Sequence, residues 1–344
     1  MCKTYLVSTT SISRPVCIIG LGLIGGSLLR DLHMANHPTF GFNRSPSAAT
    51  AAREEGFDVS DSLAETLTRA EETNALIVLA TPMPAIAQLL EEIQRYAPHC
   101  GFTDVVSVKA EVLKLVKTYG MADRYVGGHP MAGTADSGWK ASKDGLFRGA
   151  AWVVTFDRAL SVKVDQPWID LFSDVVHLAT SVGAEVIPAR VPHHDAAVAR
   201  ISHLPHVLAE ALAIVGDNGG TLALSLAAGS FRDGTRVAGS APSLVRAMCE
   251  TNSEALLQAL DECIDVLSDA RANLASPRPS LEELVDAGYR SRIRYEARSG
   301  RVLGTHNALL SASARPVLRL SPGKPGWVSQ LLHAENVGAR IEVF

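Results

Sequence analysis

The sequence predicts an α/β fold: a doubly wound domain built on a parallel sheet, followed by an all-α domain. Three observations carry the prediction. Short β-branched or apolar runs alternate with helix-like stretches through the first half; a glycine-rich turn follows the first run; and after about Pro188 long Ala- and Leu-rich segments take over. Strands separated by helices are expected to run parallel, because each crossover carries the chain back to the same edge of the sheet. The 344 residues amount to about two or three typical domains.

Pro15-Val16-Cys17-Ile18-Ile19-Gly20 reads as a buried strand, with the helical Ile24 to Ala35 beyond the glycine turn. Thr39 to Asn43 is a second short strand, and Pro46 to Glu55 has a helical composition. Ala75-Leu76-Ile77-Val78-Leu79-Ala80 is apolar throughout, the pattern of a strand covered on both faces. Helix-like Pro84 to Tyr96 and Ala110 to Thr118 flank the strand candidate Phe102 to Val106, and Tyr125 to Gly128, Ala151 to Phe156 and Ala184 to Pro188 add three more. Asp195 to Val215 and Ala241 to Asn273 read as long buried helices, with a turn at Gly216-Asp217-Asn218-Gly219-Gly220 between them. The expected domains are therefore 15–188, doubly wound; 189–276, helical; and 277–344, a C-terminal extension with several prolines and the arginines 290, 292, 294, 298 and 301.

Apolar residues make up 47 % and charged residues 20 % of the chain, enough for sizeable cores and too apolar for a disordered protein. A formal charge of −4 offers no broad electrostatic footprint for nucleic acid. No uninterrupted apolar run reaches the roughly 18 residues that cross a bilayer, and Met1 to Arg14 lacks a secretory layout. Cys2, Cys17, Cys100, Cys249 and Cys263 are scattered and include no C-x-x-C, which argues against a disulfide framework or a metal ribbon and for reduced thiols in the cytoplasm. Helices as apolar as those of the second half need a partner to cover them, so a homodimer is expected, with neither nucleic acid nor membrane as partner.

Gly20-Leu21-Gly22-Leu23-Ile24-Gly25 fits G-x-G-x-x-G between a strand and a helix, the context in which this motif binds a dinucleotide in a Rossmann-type domain. Gly20 would permit the tight turn, Gly22 the approach of backbone to a pyrophosphate, and Gly25 close packing of helix on sheet. The first helical N–H groups, around Leu23 and Ile24, would point at the phosphates. At the end of the second strand, where an NAD site usually carries an acid for the ribose 2′-hydroxyl, the chain has Asn43-Arg44-Ser45. Arg44 can pair with a 2′-phosphate and stack on adenine, and Asn43 and Ser45 can hydrogen-bond to it. These residues favour NADP and leave NAD open.

Further groups with chemical potential follow the predicted strands and lie in the helical half. Asp104-Val105-Val106-Ser107-Val108-Lys109 follows one strand and His129-Pro130-Met131-Ala132-Gly133-Thr134 another; His193-His194-Asp195 starts a helix that carries Ser202-His203-Leu204-Pro205-His206; Phe231-Arg232-Asp233-Gly234-Thr235-Arg236-Val237-Ala238 lies between helices. In this order, with the glycine turn, they resemble the prephenate/arogenate dehydrogenases of tyrosine biosynthesis, over roughly Val16 to Asn273. The extension beyond Ser276 is similar to that of actinobacterial members.

The resemblance implies an NAD(P)-dependent oxidative decarboxylation that aromatises a cyclohexadienyl ring, with arogenate favoured over prephenate. It implies His129 as the base for the ring hydroxyl, Ser107 as the residue bridging that histidine and the nicotinamide side, and Arg236 as the fork for a substrate carboxylate, oriented by Asp233. His203 and Gly229 would line the same pocket, in the crevice between the domains, and Arg232 and Lys109 are further cations for a dianionic substrate. His193, His194 and His206 read as structural or peripheral, and no metal is expected, because no ligand spacing such as H-E-x-x-H occurs. One departure concerns the pocket wall: the family tryptophan after T-R-[IV]-A has no counterpart in Leu244-Val245-Arg246-Ala247-Met248. The alternative, a β-hydroxyacid or imine reductase of similar architecture, would use a helical lysine, and none occurs between Lys163 and Lys324. A catalytically inactive NADP-sensing protein would have lost one of Ser107, His129 or Arg236, and all three are present.

Overall fold

The first apolar run forms β1 (Val16–Ile19), with β2 (Thr39–Phe42) on one side and β4 (Leu76–Leu79) on the other, all parallel. Together with β3 (Val59–Ser60), β5 (Phe102–Asp104) and β6 (Tyr125–Val126) they make a six-stranded parallel sheet in the order β3-β2-β1-β4-β5-β6, the doubly wound dinucleotide-binding order. This is a computed structural model describing residues 12–134, 136–298 and 315–344. The two-residue period explains the unbroken apolar strands. Val16, Ile18, Leu76 and Val78 enter the core on one face, whereas Cys17, Ile19, Ile77 and Leu79 enter the core on the other. Each such side chain, fully buried, contributes about 1.5–3 kcal/mol relative to exposure.

The crossovers are α1 (Leu23–Met34), α2 (Pro46–Glu54), α3 (Leu63–Glu72), α4 (Ile86–Tyr96) and α5 (Ala110–Thr118). β3 and α3 are absent from the sequence reading. The strand is only two residues long, but α3 had a signal: Ser62 and Glu65 sit at capping-box spacing, and the Ser62 hydroxyl accepts the Glu65 N–H at 3.5 Å.

The expected strand Tyr125 to Gly128 is split at Gly127. β6 stays in the parallel sheet, while β7 (Gly128–Pro130) pairs antiparallel with β8 (Ala151–Thr155), which pairs parallel with β9 (Glu185–Ala189). The Gly127 N–H is satisfied by the Thr155 hydroxyl at 3.0 Å, and a Cβ at Gly127 would lie 2.7 Å from that oxygen. The last three strand candidates thus bring the chain into a second, mixed sheet, connected by the short α6 (Asp157–Ser161) and by α7 (Gln166–Ser181).

The chain divides into a first unit, up to His194 together with Val317–Phe344, and a second, Asp195–Pro316. The extension is therefore not one piece. In the first unit its end forms β10 (Val317–Leu320) and β11 (Arg340–Val343), parallel strands joined by α15 (Trp327–Val337). Trp327 meets Phe172 of α7 edge to face at 5.6 Å, Leu331, Ala334 and Ile341 join the core, and Arg340 lies 3.6 Å from Glu185 of β9.

The helix that starts at Val191 runs as α8 (Val191–Val198), a π-turn (Ala199–His203) and α9 (Leu204–Asn218). By length and composition the whole stretch is long and apolar enough to cross a membrane, although Asp195, Arg200 and Glu210 interrupt it. The second unit continues with α10 (Gly220–Leu226), α11 (Gly229–Thr235), α12 (Pro242–Thr251), α13 (Ser253–Leu274) and α14 (Glu282–Arg298). The expected continuous helix over Ala241 to Asn273 is broken at Asn252, whose side chain turns inward. Arg290, Arg292, Arg294 and Arg298 are exposed on α14, with Arg292 paired to Glu296 at 2.7 Å; Arg301 and Cys2 lie outside the described residues. Cys17, Cys100, Cys249 and Cys263 are free thiols. Burial pushes the Cys100 thiol up to about 12 and that of Cys17 higher, so neither supplies a thiolate.

Candidate active site

Each glycine of the turn after β1 answers a separate steric demand. Gly20 has φ +101° and a Cβ there would stand 2.7 Å from the Ala80 carbonyl oxygen; at Gly25 it would stand 1.9 Å from the Gly20 carbonyl oxygen. Gly22, by contrast, faces open space. Leu23 and Ile24 open α1, so their N–H groups have no acceptor within the helix. A pyrophosphate fits this cradle: open space beside the half-buried Gly22 and helical donors behind it.

Beyond β2, Ser45 caps α2, its hydroxyl accepting the Ala48 N–H at 3.4 Å, and Asn43 Oδ1 accepts the Ser45 N–H at 3.3 Å. The Asn43 amide also reaches back to the Leu21 carbonyl at 3.5 Å. Asn43 and Ser45 are therefore committed to shaping the loop, whereas Arg44 is exposed, with no ion pair among the described residues.

At the carboxyl edge of β5, Asp104 and Lys109 form a fully buried ion pair. Asp104 also accepts the Tyr125 hydroxyl at 2.7 Å and the N–H groups of Gly128 at 3.3 Å and Val106 at 3.0 Å; Lys109 also donates to the Gly128 carbonyl at 2.7 Å. The expectation that Lys109 faces the substrate is thus corrected: with no exposure, its charge is spent on Asp104. Removing either partner of such a pair costs about 3–5 kcal/mol, because the other charge stays buried. The pair ties the loop carrying Ser107 to the strand carrying His129.

His129 lies on β7 opposite Val153, half-buried. Its Nδ1 is 2.8 Å from Nε2 of His194, the rings meeting edge to face. No hydrogen bond joins Ser107 to His129 among the described residues. His194 was read from sequence as structural or peripheral; two adjacent histidines at a helix start carried no spacing signal for this contact, and only the fold brings one of them to β7. Either ring can be the donor in this contact. When His129 donates from Nδ1 to His194, its Nε2 is left as the lone pair that can accept a proton.

In the second unit, Gly229 to Ala238 is itself helical: Gly229 opens α11 and Arg236 begins a one-turn 3₁₀ helix (Arg236–Gly239). Arg236 is exposed with no ion pair among the described residues, and Asp233 does not orient it. The carboxylate of Asp233 lies 3.4 Å from Arg232 instead, both side chains being well exposed. Arg232 also lies nearest the space a Cβ at Gly229 would take, at 3.8 Å. His203 is 1 % exposed and its Nδ1 is 3.2 Å from the Asn252 amide nitrogen, which donates to the Asp195 carbonyl at 2.9 Å. It braces the π-turn against the α12–α13 junction. Three residues on, His206 is only half-buried, and its Nδ1 has no partner among the described residues.

The family described as "Prephenate dehydrogenase, nucleotide-binding domain" matches residues 26–187, and "Prephenate dehydrogenase, dimerization domain" matches residues 191–287. The chain is 32 % identical over 270 residues to prephenate dehydrogenase of Bacillus subtilis, covering 74 % of this chain and 69 % of that protein. It is 60 % identical to a candidate prephenate dehydrogenase of Corynebacterium glutamicum of known crystal structure, with a TM-score of 0.91, covering 97 % of this chain and all of that one. At 25 % identity and a TM-score of 0.70 it also resembles prephenate dehydrogenase from Aquifex aeolicus, crystallised with hydroxyphenyl propionate and NAD+, over 82 % of this chain and 97 % of that one.

Proposed function

Because this chain belongs to the prephenate dehydrogenase family, we propose that it carries out the oxidative decarboxylation of a cyclohexadienyl substrate in tyrosine biosynthesis, arogenate ahead of prephenate, with NADP as cofactor. The observation that carries this reading is the shared edge: the glycine turn follows β1 and His129 follows β6, both at the carboxyl ends of strands in one parallel sheet, where such sheets bind ligands.

When bound, the nicotinamide supplies the acceptor for a hydride from ring C4. His129 takes the C4 hydroxyl proton on Nε2 while the ring carboxylate leaves as CO2 and its bonding electrons complete the aromatic ring, and it then returns the proton to the phenolate oxygen. Aromatisation drives the step, so the protein's task is orientation and proton transfer. Ser107 orients the hydroxyl and the nicotinamide side. Arg236 holds a carboxylate through two parallel N–H bonds, with Asp233 and Arg232 as neighbours that set the local charge and Gly229 leaving room beside them. Arg44 takes the 2′-phosphate, which is the ground for NADP over NAD. A second copy of the chain covers the apolar residues that the second unit exposes, among them Leu222 and Leu226, each 72 % exposed. The proposed setting is the cytoplasm.

Four incubations test the reading: arogenate or prephenate, each with NAD or NADP, followed by absorbance of the reduced cofactor. Turnover fastest with arogenate and NADP is expected; no turnover in any of them removes the proposal. Arg44→Ala is expected to raise KM for NADP by about tenfold or more, the loss of a charged hydrogen bond, and to leave KM for NAD nearly unchanged.

A further inference from the structure

The helix that carries His194 is held at its start by two carboxylates from distant parts of the chain. Asp157 of α6 accepts the Val191 N–H with both oxygens, at 2.9 and 3.1 Å. Glu335 of α15 accepts the Arg190 N–H at 2.7 Å through one oxygen and the Arg190 guanidinium at 2.7 Å through the other. Arg190 in turn offers its carbonyl to the His194 N–H at 2.8 Å. Anionic groups are favoured at this end of a helix, where N–H groups lack intrahelical acceptors. The carboxylate of Glu335 is 8 % exposed and makes a bidentate contact, so it sets both the position and the rotation of the first helical turn. Four residues past Arg190, His194 is 3 % exposed and reaches His129 Nδ1.

We propose that His194 and Glu335 are positioning residues for His129: His194 accepts the hydrogen bond from Nδ1–H of His129 and so keeps Nε2 in its unprotonated form, and Glu335, from the C-terminal segment, holds His194 where it can do so. The inference rests on the reading of His129 as the base. It assigns the end of the chain a task in the reaction although Glu335 touches no substrate. An imidazole without such a partner favours the Nε2–H tautomer, which cannot accept a proton from the substrate.

The test uses the full-length protein and two independent readouts. The first is the ¹⁵N–¹H imidazole spectrum of histidine-labelled protein, assigned with His129→Asn. His129 is expected to carry its proton on Nδ1, and His194→Leu is expected to move it to Nε2. An Nε2–H tautomer in the unsubstituted protein, or no change in His194→Leu, overturns the proposal. The second is turnover. His194→Leu is expected to lower kcat by about 10–100-fold, the usual cost of removing a supporting partner, with KM values nearly constant. His194→Gln, whose amide oxygen takes the place of Nε2, is expected to restore much of the loss, and His194→Asn to restore little. Equal kcat in Leu, Gln and Asn variants of matching melting temperature overturns the proposal.

Glu335→Ala is expected to lower kcat by up to about tenfold, a displacement effect, with Glu335→Gln in between. Neither should lower kcat further in the His194→Leu background, because two groups acting through one contact are not additive; an equal loss in both backgrounds overturns the role given to Glu335. If His129→Asn retains full turnover, the base lies elsewhere and the reading of His129 fails, while the tautomer spectra still decide whether His194 holds the proton of His129 on Nδ1.

Discussion

The two units hold the residues proposed for the chemistry in opposite ways. In the first, Ser107 lies in a loop closed at both ends by the Asp104–Lys109 pair, and His129 is bound to His194. In the second, Arg236 is exposed with no ion pair among the described residues, and Asp233 meets only its chain neighbour Arg232. The apolar surface divides the same way. Ile214, Val215, Leu222, Leu226 and Leu257 are all exposed by more than half, whereas the first unit buries both faces of its central strands. A unit built on a sheet closes its own core. Helices with more apolar faces than neighbours leave theirs for another surface.

The largest expected effect tests the wired side of this contrast. His129→Asn is expected to lower kcat by about two to four orders of magnitude while the melting temperature barely changes, read by steady-state kinetics and calorimetry; a loss below tenfold would place the base elsewhere. Next comes the exposed side. Arg236→Lys keeps the charge and loses the planar fork, so kcat/KM for the substrate is expected to fall by about 10–100-fold, with KM for the cofactor unchanged. A lysine variant as active as the parent would reduce Arg236 to a surface charge.

Smaller in kinetics, but sharper for the comparison of surfaces, is a pair of charge insertions. Leu222→Glu with Leu226→Glu is expected to shift the protein from dimer to monomer in sedimentation, whereas Leu160→Glu, at an exposed apolar position of the first unit, leaves the dimer intact. The smallest effect concerns His177 of α7. Burial lowers its pKa from the ordinary 6.5, partly offset by the Val343 backbone and Asp174. The unfolded chain therefore takes up its proton first, and stability is lost as the pH falls from above 6.5 toward the folded value. His177→Gln is expected to reduce the fall in melting temperature between pH 7 and pH 5 by about one or two degrees.

Much of the first unit was legible because its elements carry local signals. β1 and β4 are apolar on both faces, α5 matches the expected Ala110 to Thr118 residue for residue, and the glycine turn announces itself by spacing. The break at Gly127 was not legible, since Tyr125 to Gly128 has the same strand composition whether it stays in one sheet or changes to another; the Thr155 hydroxyl that receives the freed N–H lies 28 residues away. Lys109 illustrates the same limit at the site. A lysine after a strand looks like a substrate cation until a carboxylate five residues earlier turns out to share its burial. His203 and His206, three residues apart on one helical stretch, end in different surroundings because only His203 meets Asn252.

The sequence by itself determined the parallel doubly wound sheet, the helical second half and the glycine turn of a nucleotide-binding domain, and it nominated the groups proposed to do the chemistry. Those features follow from periodicity, glycine sterics and residue type, all of which act over a few neighbouring positions. Only the tertiary structure decided that His194 partners His129, that Lys109 is spent on Asp104, and that the last 28 residues, Val317–Phe344, return to the first unit and place Glu335 at the start of the His194 helix. These are pairings between residues far apart in the chain, and a hydrogen bond or ion pair between such groups exists only once the fold has brought both ends out of water to the same place.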